Sequence, residues 1–320
     1  MSHLLPEPVT IVETSRGEAQ CPGSKLFYAY GHASMQGLRK TMEDTHVVEM
    51  NIGNKDNHLI MVCDGHGGQL AAKKVAEFMP KHIKETYDFD TSMFSKERRK
   101  TYAEAMFDSF LAVDRKLLEI ECFSDMTDSS GTTVNAALVS DKEIVCANAG
   151  DTRCVVSCEK KAKDISQDHK PNRLDEVKRI ERAGGHVARG RVNGLHGVSR
   201  SLGDFAYKNG GKATDPNDQI VTCRPDVCVY STSLGKDEFV LICCDGIWDV
   251  MGSQEAVDFV HETMDLPEVD TLDKCMTMLV QKCLEKGSQD NMTAAIIALP
   301  GYCRKYNYFR KKSSGICTIN

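Results

Sequence analysis

Little in this sequence suits a membrane, a nucleic acid or an oxidising compartment. No apolar run within the 320 residues approaches the length of a membrane-spanning helix, and the first residues lack the basic and apolar layout of a signal peptide. The net charge is −6, so the basic face that a nucleic-acid backbone demands is missing. Cysteine is plentiful at 14, yet no C-x-x-C pair occurs and the spacing suits neither a disulfide framework nor a zinc site. Cys63, Cys146, Cys154, Cys243 and Cys244 lie inside apolar runs and read as small buried hydrophobes of a chain kept in a reducing compartment. Ser2 stands where an N-myristoyl anchor requires glycine. The expected address is the cytoplasm, with the nucleus as the alternative, and the expected state is a monomer.

What is present is a long stretch, 26–299, with no linker-like interruption, so a single domain over 25–300 is expected between an N-terminal tail, 1–24, and a basic aromatic tail, 301–320. β-Branched apolar runs predict strands over 45–50, 59–63, 132–139, 143–148, 153–158, 227–232, 238–244 and 293–299. The connections 140–142 and 150–152 are short enough for hairpins, which makes this part of the sheet antiparallel. Apolar residues at helical spacing predict helices over 68–87, 96–122, 254–263 and 272–286, with a short one near 173–182. Strands in succession with helices grouped indicate an α+β layered sandwich rather than a doubly wound sheet. The polar stretch 171–223, rich in Gly and Arg, reads as a flap.

The acidic residues fall at the ends of these strands. Asp64 and Asp245 each follow an apolar run and precede a glycine, Gly65 or Gly246, while Asp44 and Asp290 sit just before strands. In an antiparallel sheet the start of one strand lies beside the end of the next, so all four carboxylates can gather on one edge. Unpaired carboxylates so close would repel and bind protons unless cations neutralised them. Oxygen donors suit Mg²⁺ or Mn²⁺, whereas zinc or copper would call for His and Cys. The run Asp64-Gly65-His66-Gly67-Gly68 adds a histidine at the same place.

The order of several motifs carries a family resemblance. Arg39-Lys40-Thr41-Met42-Glu43-Asp44, Asp64-Gly65-His66-Gly67-Gly68, Ser130-Gly131-Thr132-Thr133, Gly150-Asp151-Thr152-Arg153, Asp168-His169-Lys170-Pro171, Ser199-Arg200-Ser201-Leu202-Gly203-Asp204, Cys244-Asp245-Gly246-Ile247-Trp248-Asp249 and Ser288-Gln289-Asp290-Asn291-Met292-Thr293 resemble the motif series of type 2C serine/threonine protein phosphatases over about 25–299. The resemblance implies a central two-sheet β-sandwich flanked by helices, an αββα arrangement, with a dinuclear Mg²⁺ or Mn²⁺ site at one end and phosphoproteins as substrates. It implies that Asp64 bridges the two ions, that Asp245 and Asp290 ligate one and the Gly65 carbonyl the other, and that Glu43 and Asp44 hold water bound to them. Asp151, with Asp245, resembles the pair that takes a third, weaker ion.

Arg39 is implied to grip the substrate phosphate, and its planar guanidinium can do so bidentately. The bridged ions would activate a water for in-line attack on phosphorus, and His66 is placed to protonate the departing serine or threonine oxygen. Thr133, within the Ser130–Thr133 stretch, is expected to support the site from below, and Asn291 to bind a water of the metal.

Rival readings fare worse. The His-Cys…Arg loop of thiol phosphatases is missing, and Asp88-Phe89-Asp90-Thr91-Ser92, which imitates an aspartate nucleophile motif, lacks a buried strand before it. A scaffold without turnover would be expected to have lost acids that are all present, whereas a phosphatase of small metabolites would need the same site chemistry. Cys317-Thr318-Ile319-Asn320 has the form of a prenylation signal, although Asn is an unusual last residue.

Overall fold

The computed structural model describes residues 4–20, 26–54, 56–87, 101–211 and 215–306. Strands and helices are numbered along the chain. One sheet has the order β1-β2-β14-β13-β7-β8, formed by β1 (Leu4–Gln20), β2 (Phe27–Arg39), β14 (Met292–Ala298), β13 (Asp237–Cys243), β7 (Arg153–Cys158) and β8 (Lys161–Asp164). The other runs β12-β6-β5-β4-β3, with β11 against β5. Its strands are β3 (Thr45–Glu49), β4 (His58–His66), β5 (Gly131–Val139), β6 (Glu143–Ala149), β11 (Leu202–Gly203) and β12 (Asp226–Ser231). A two-stranded ribbon, β9 (Val187–Ala188) with β10 (Arg191–Val192), stands apart. The pairings within both main sheets are antiparallel.

The two sheets face each other, and helices cover their outer sides. In β4, Ile60 and Val62 point into the core between the sheets, while Leu59, Met61 and Cys63 point towards α1 (Leu70–Thr86) and α2 (Tyr102–Leu118). In β13, Val240 and Ile242 meet the opposite sheet, while Phe239, Leu241 and Cys243 meet α6 (Ser253–Met264) and α7 (Leu272–Glu285). Burial on both faces explains why these strands read as unbroken apolar runs rather than alternating ones. Each such side chain removed from water contributes about 1.5–3 kcal/mol. The short helices α3 (Glu121–Ser124), α4 (Leu174–Arg182), α5 (Asp245–Trp248) and α8 (Pro300–Lys305) complete the fold, which is the expected α+β sandwich with helices outside both sheets.

Three expectations need correction. Residues 4–20 are no tail: they form the edge strand β1, antiparallel to β2. Its mostly exposed side chains leave no apolar signature, and Pro6 and Pro8 fall where the register shifts between Leu4 and Val9, which an edge tolerates. Likewise 150–152 is not a hairpin, because β6 and β7 belong to opposite sheets and the turn crosses between them. Gly150 takes φ +128 there, and a Cβ on it would stand 2.3 Å from that of Thr133. The helix expected over 96–122 is two, with α2 beginning at a capping box in which Thr101 and Glu104 bond each other's backbone N–H. The Asp88-Phe89-Asp90 string and Cys317 lie outside the described residues.

The 171–223 segment has a small core of its own, Ile180, Val192 and Val221. Lys208, 1% exposed, bonds Asp114 of α2 at 2.7 Å and so fastens this segment to the helical layer.

Candidate active site

Strand register delivers the acids to one end of the sandwich. Cys63 of β4 pairs with Thr45 of β3, so Asp44 comes beside Asp64, which itself pairs with Thr133 of β5. Cys243 pairs with Ala294 on one side and Arg153 on the other, which brings Asp245, Asp290 and the Asp151 crossover to the same end. Carboxylate oxygens of Asp64, Asp151 and Asp245 lie within 4.8 Å of one another, and Asp44, Asp64 and Cys244 form an overlapping group of the same span. They open into a cavity of about 1000 Å³ also lined by Arg39, Glu43, His66, Lys170, His196, Asp204 and Asp290.

Close packing of backbone on backbone makes this convergence possible. A Cβ on Gly65 would stand 2.3 Å from the Glu43 carbonyl oxygen, and one on Gly246 would stand 1.9 Å from that of Asn291. Only glycine fits at either place. Asn291 staples the same loops: its Oδ1 accepts from Glu43 N at 2.9 Å, and its Nδ2 donates to the carbonyls of Gln36 at 2.9 Å and Thr41 at 3.0 Å. With its amide engaged by backbone, Asn291 holds these loops together. Thr133, the strand partner of Asp64, shares a buried 2.7 Å hydrogen bond with Thr152.

The electrostatics ask for cations. Burial, reinforced by neighbouring carboxylates, pushes the Asp64 and Asp245 carboxyls well above their usual range, and Asp44, buried beside Asp290, is pushed up to about 7. Lys170 Nζ donates to Asp151 Oδ2 at 2.6 Å, and the Arg39 guanidinium, half exposed, rests on Asp290. Asp151 Oδ1 remains buried with no hydrogen-bond partner. Burial also pushes the Cys63 and Cys244 thiols up, so they stay protonated and leave an all-oxygen donor set. These residues fit hard divalent cations.

Glu43 spans the rim, accepting from Thr41 Oγ1 at 2.8 Å and from Gly68 N at 3.2 Å. His66 contacts Asp204 at 2.7 Å between Nε2 and Oδ2. Burial works against a charged ring there, but the Asp204 carboxylate outweighs it and holds His66 above its usual pKa. Lys170 and Asp204 were present in motif strings without a role assigned to them. His196, which faces the same Asp204 oxygen at 3.4 Å and meets the His66 ring edge to face, belongs to no motif, and no signal in the sequence could have singled it out.

Comparison with known proteins agrees with this geometry. The family model described as protein phosphatase 2C matches residues 28–292. "Protein phosphatase 2C homolog 2" of Saccharomyces cerevisiae is 36% identical over 311 residues, covering 93% of this chain and 63% of that protein. Human "Protein phosphatase 1A" is 37% identical over 285 residues, covering 88% of this chain and 73% of its own length. The crystal structure of serine-threonine phosphatase 2C from Toxoplasma gondii superposes with a TM-score of 0.71 at 19% identity, over 90% of this chain and 99% of that one, and so shares the fold. On its motifs, its sandwich and these relatives, the chain belongs to the protein phosphatase 2C family of serine/threonine protein phosphatases.

Proposed function

We propose that this chain hydrolyses phosphoserine and phosphothreonine in proteins, with two Mg²⁺ or Mn²⁺ ions at the carboxylate cluster and a third, weaker one beside Asp151. The observation that carries the reading is the buried convergence of Asp64, Asp151 and Asp245 oxygens within 4.8 Å, with too few cations of the chain's own to balance them. Asp64, Asp245, Asp290 and the Gly65 carbonyl would hold the main pair, Asp151 with Asp245 the weaker ion, and Glu43 and Asp44 the surrounding water. When bound, such ions would supply a Lewis-acid centre that activates water for in-line attack on phosphorus.

The chain's own groups do the remaining work. Arg39, half exposed at the cavity mouth, can leave Asp290 for the incoming phosphate, where it would both orient the group and balance charge in the transition state. His66, whose pKa the Asp204 carboxylate raises, would deliver the proton that lets the serine or threonine oxygen depart. All twelve cysteines among the described residues are unpaired, which supports a reducing, cytoplasmic or nuclear setting. No helix among those residues is long and apolar enough to cross a membrane.

Phosphate release from a phosphothreonine peptide, measured with Mn²⁺, with Mg²⁺ and after chelation, tests the reading. Turnover is expected only with metal. Asp64→Ala should abolish it and weaken metal binding in calorimetry, whereas His66→Ala should slow it about 10²-fold or more with metal still bound. Normal turnover by Asp64→Ala would remove the bridging role, and a folded wild-type chain inert with every metal would point to a phosphoprotein scaffold.

A further inference from the structure

The cavity holds a second group of metal-ligating side chains that this hydrolysis leaves partly unused. His66, His196 and Asp204 each offer one ligand atom, and those atoms lie within 4.8 Å of one another. From Asp204 Oδ2 it is 2.7 Å to His66 Nε2 and 3.4 Å to His196 Nε2. The two imidazoles meet edge to face with centroids 5.0 Å apart, and the Tyr207 ring lies 4.7 Å from His196. His66 and Asp204 have an account as proton donor and its partner. His196 has none: its Nε2 is buried without a hydrogen bond of good geometry and faces the Asp204 carboxylate at 3.4 Å.

The carboxylate facing both rings is firmly built in. Asp204 is 4% exposed and takes a left-handed φ of +51, which aspartate tolerates better than most residues. Its carboxyl group fills the space over Gly131, where a Cβ would stand 2.2 Å from Oδ2, and Ser201 Oγ donates to that same oxygen. The adjoining Gly203 N is held by Asp114 at 2.9 Å, and Asp114 in turn is bonded by the buried Lys208. The carboxylate is thus presented by a braced segment rather than by a free loop.

Two imidazole nitrogens and one carboxylate oxygen form a donor set unlike the all-oxygen cluster of Asp64, Asp151 and Asp245, and they suit zinc. Zn–N bonds of about 2.0–2.1 Å set neighbouring donors of a tetrahedral site about 3.3 Å apart, which the 3.4 Å from Asp204 to His196 meets and to which the 2.7 Å from Asp204 to His66 opens once zinc replaces the shared proton. We propose that His66, His196 and Asp204 form a zinc site on the 171–223 side of the cavity, and that zinc there inhibits the enzyme by occupying His66 Nε2. The inhibition rests on the function proposed above; the binding does not. Zinc at Nε2 displaces the proton that Asp204 holds there, so the charged imidazole that would serve the departing alkoxide is lost while the carboxylate cluster keeps its own ions.

Cobalt(II) reports such a site optically, because low-coordinate sites with nitrogen donors absorb visible light far more strongly than six-coordinate all-oxygen ones. The full chain, in excess Mg²⁺, is titrated with Co²⁺ and then with Zn²⁺. A strong visible band saturating at about one equivalent, displaced by zinc, retained in Asp64→Ala and lost in His196→Leu, is the expected result. A wild-type chain with no strong band, or a band unchanged in folded His196→Leu, overturns the site. Because leucine nearly matches the volume of the imidazole, circular dichroism of His196→Leu checks that the fold is kept. In phosphate release at saturating Mg²⁺, the zinc concentration for half-inhibition should rise about tenfold or more in His196→Leu relative to wild type; equal sensitivity overturns the inhibitory role. Should wild type release no phosphate with Mg²⁺ or Mn²⁺, the hydrolytic reading fails while the cobalt band still decides the zinc site.

Discussion

Asp204 sets the behaviour of His66, and the sign of its effect is testable. A proton donor works only while charged, so the rate should fall as pH rises through the His66 pKa, which Asp204 holds above the usual 6.5. Asp204→Asn removes the largest of the effects that raise that pKa, leaving burial opposed only by Asp151 and Glu43, so the alkaline limb of the kcat profile should move to lower pH, with a fall of about 10²-fold at neutral pH. An alkaline limb at the same pH in the variant would detach Asp204 from the proton step. The same pair bears on stability: its contribution through His66 is fully present below pH 6.5 and is lost as pH climbs through the raised value. At this scale the acids were legible because four Asp fall at strand ends that an antiparallel sheet brings together, although each alone reads equally well as a turn residue. The Asp204–His66 contact was not, since 138 residues separate the partners and nothing in either motif names the other.

Among the elements, strands buried on both faces declared themselves through continuous apolar runs, and β4 and β13 fall close to where those runs lie. β2 did not. Its FYAYGHASMQGLR sequence is rich in small and polar residues because α7 packs directly on it: a Cβ on Gly31 would stand 2.4 Å from Asp273 N. The tether between the 171–223 segment and α2 was equally hidden, since a lysine in a Gly-rich stretch ordinarily reads as solvated. Lys208→Met should strand the Asp114 carboxylate in the core and cost about 3–5 kcal/mol in denaturant unfolding. Adding Asp114→Leu should recover part of that loss; a single variant as stable as wild type would show that the pair holds nothing in place.

For the molecule as a whole, the buried carboxylates at one end of the sandwich tie stability to pH, and cations bound there should relieve the cost. Without ions, Asp44, Asp64 and Asp245 have folded-state pKa values above those of the unfolded chain, so the native state binds more protons and loses stability as pH rises from about 4 towards 7. Each tenfold change in proton affinity is about 1.4 kcal/mol. Calorimetric Tm in chelator should therefore fall across that range, and Mg²⁺ should raise it more at pH 7 than at pH 5; a chelated chain whose Tm is flat with pH would contradict the clustering. The sequence by itself determined the class of fold and the strand-end carboxylates that meet at one end of the sandwich, because strand periodicity and Asp-Gly strand ends are local properties that survive in one dimension. Only the tertiary structure decided that 150–152 crosses between sheets, that 4–20 is a strand, and that His196 meets His66 over Asp204. Those depend on which surfaces meet in space, and the contacts that settle them join residues too far apart along the chain for any local pattern to record.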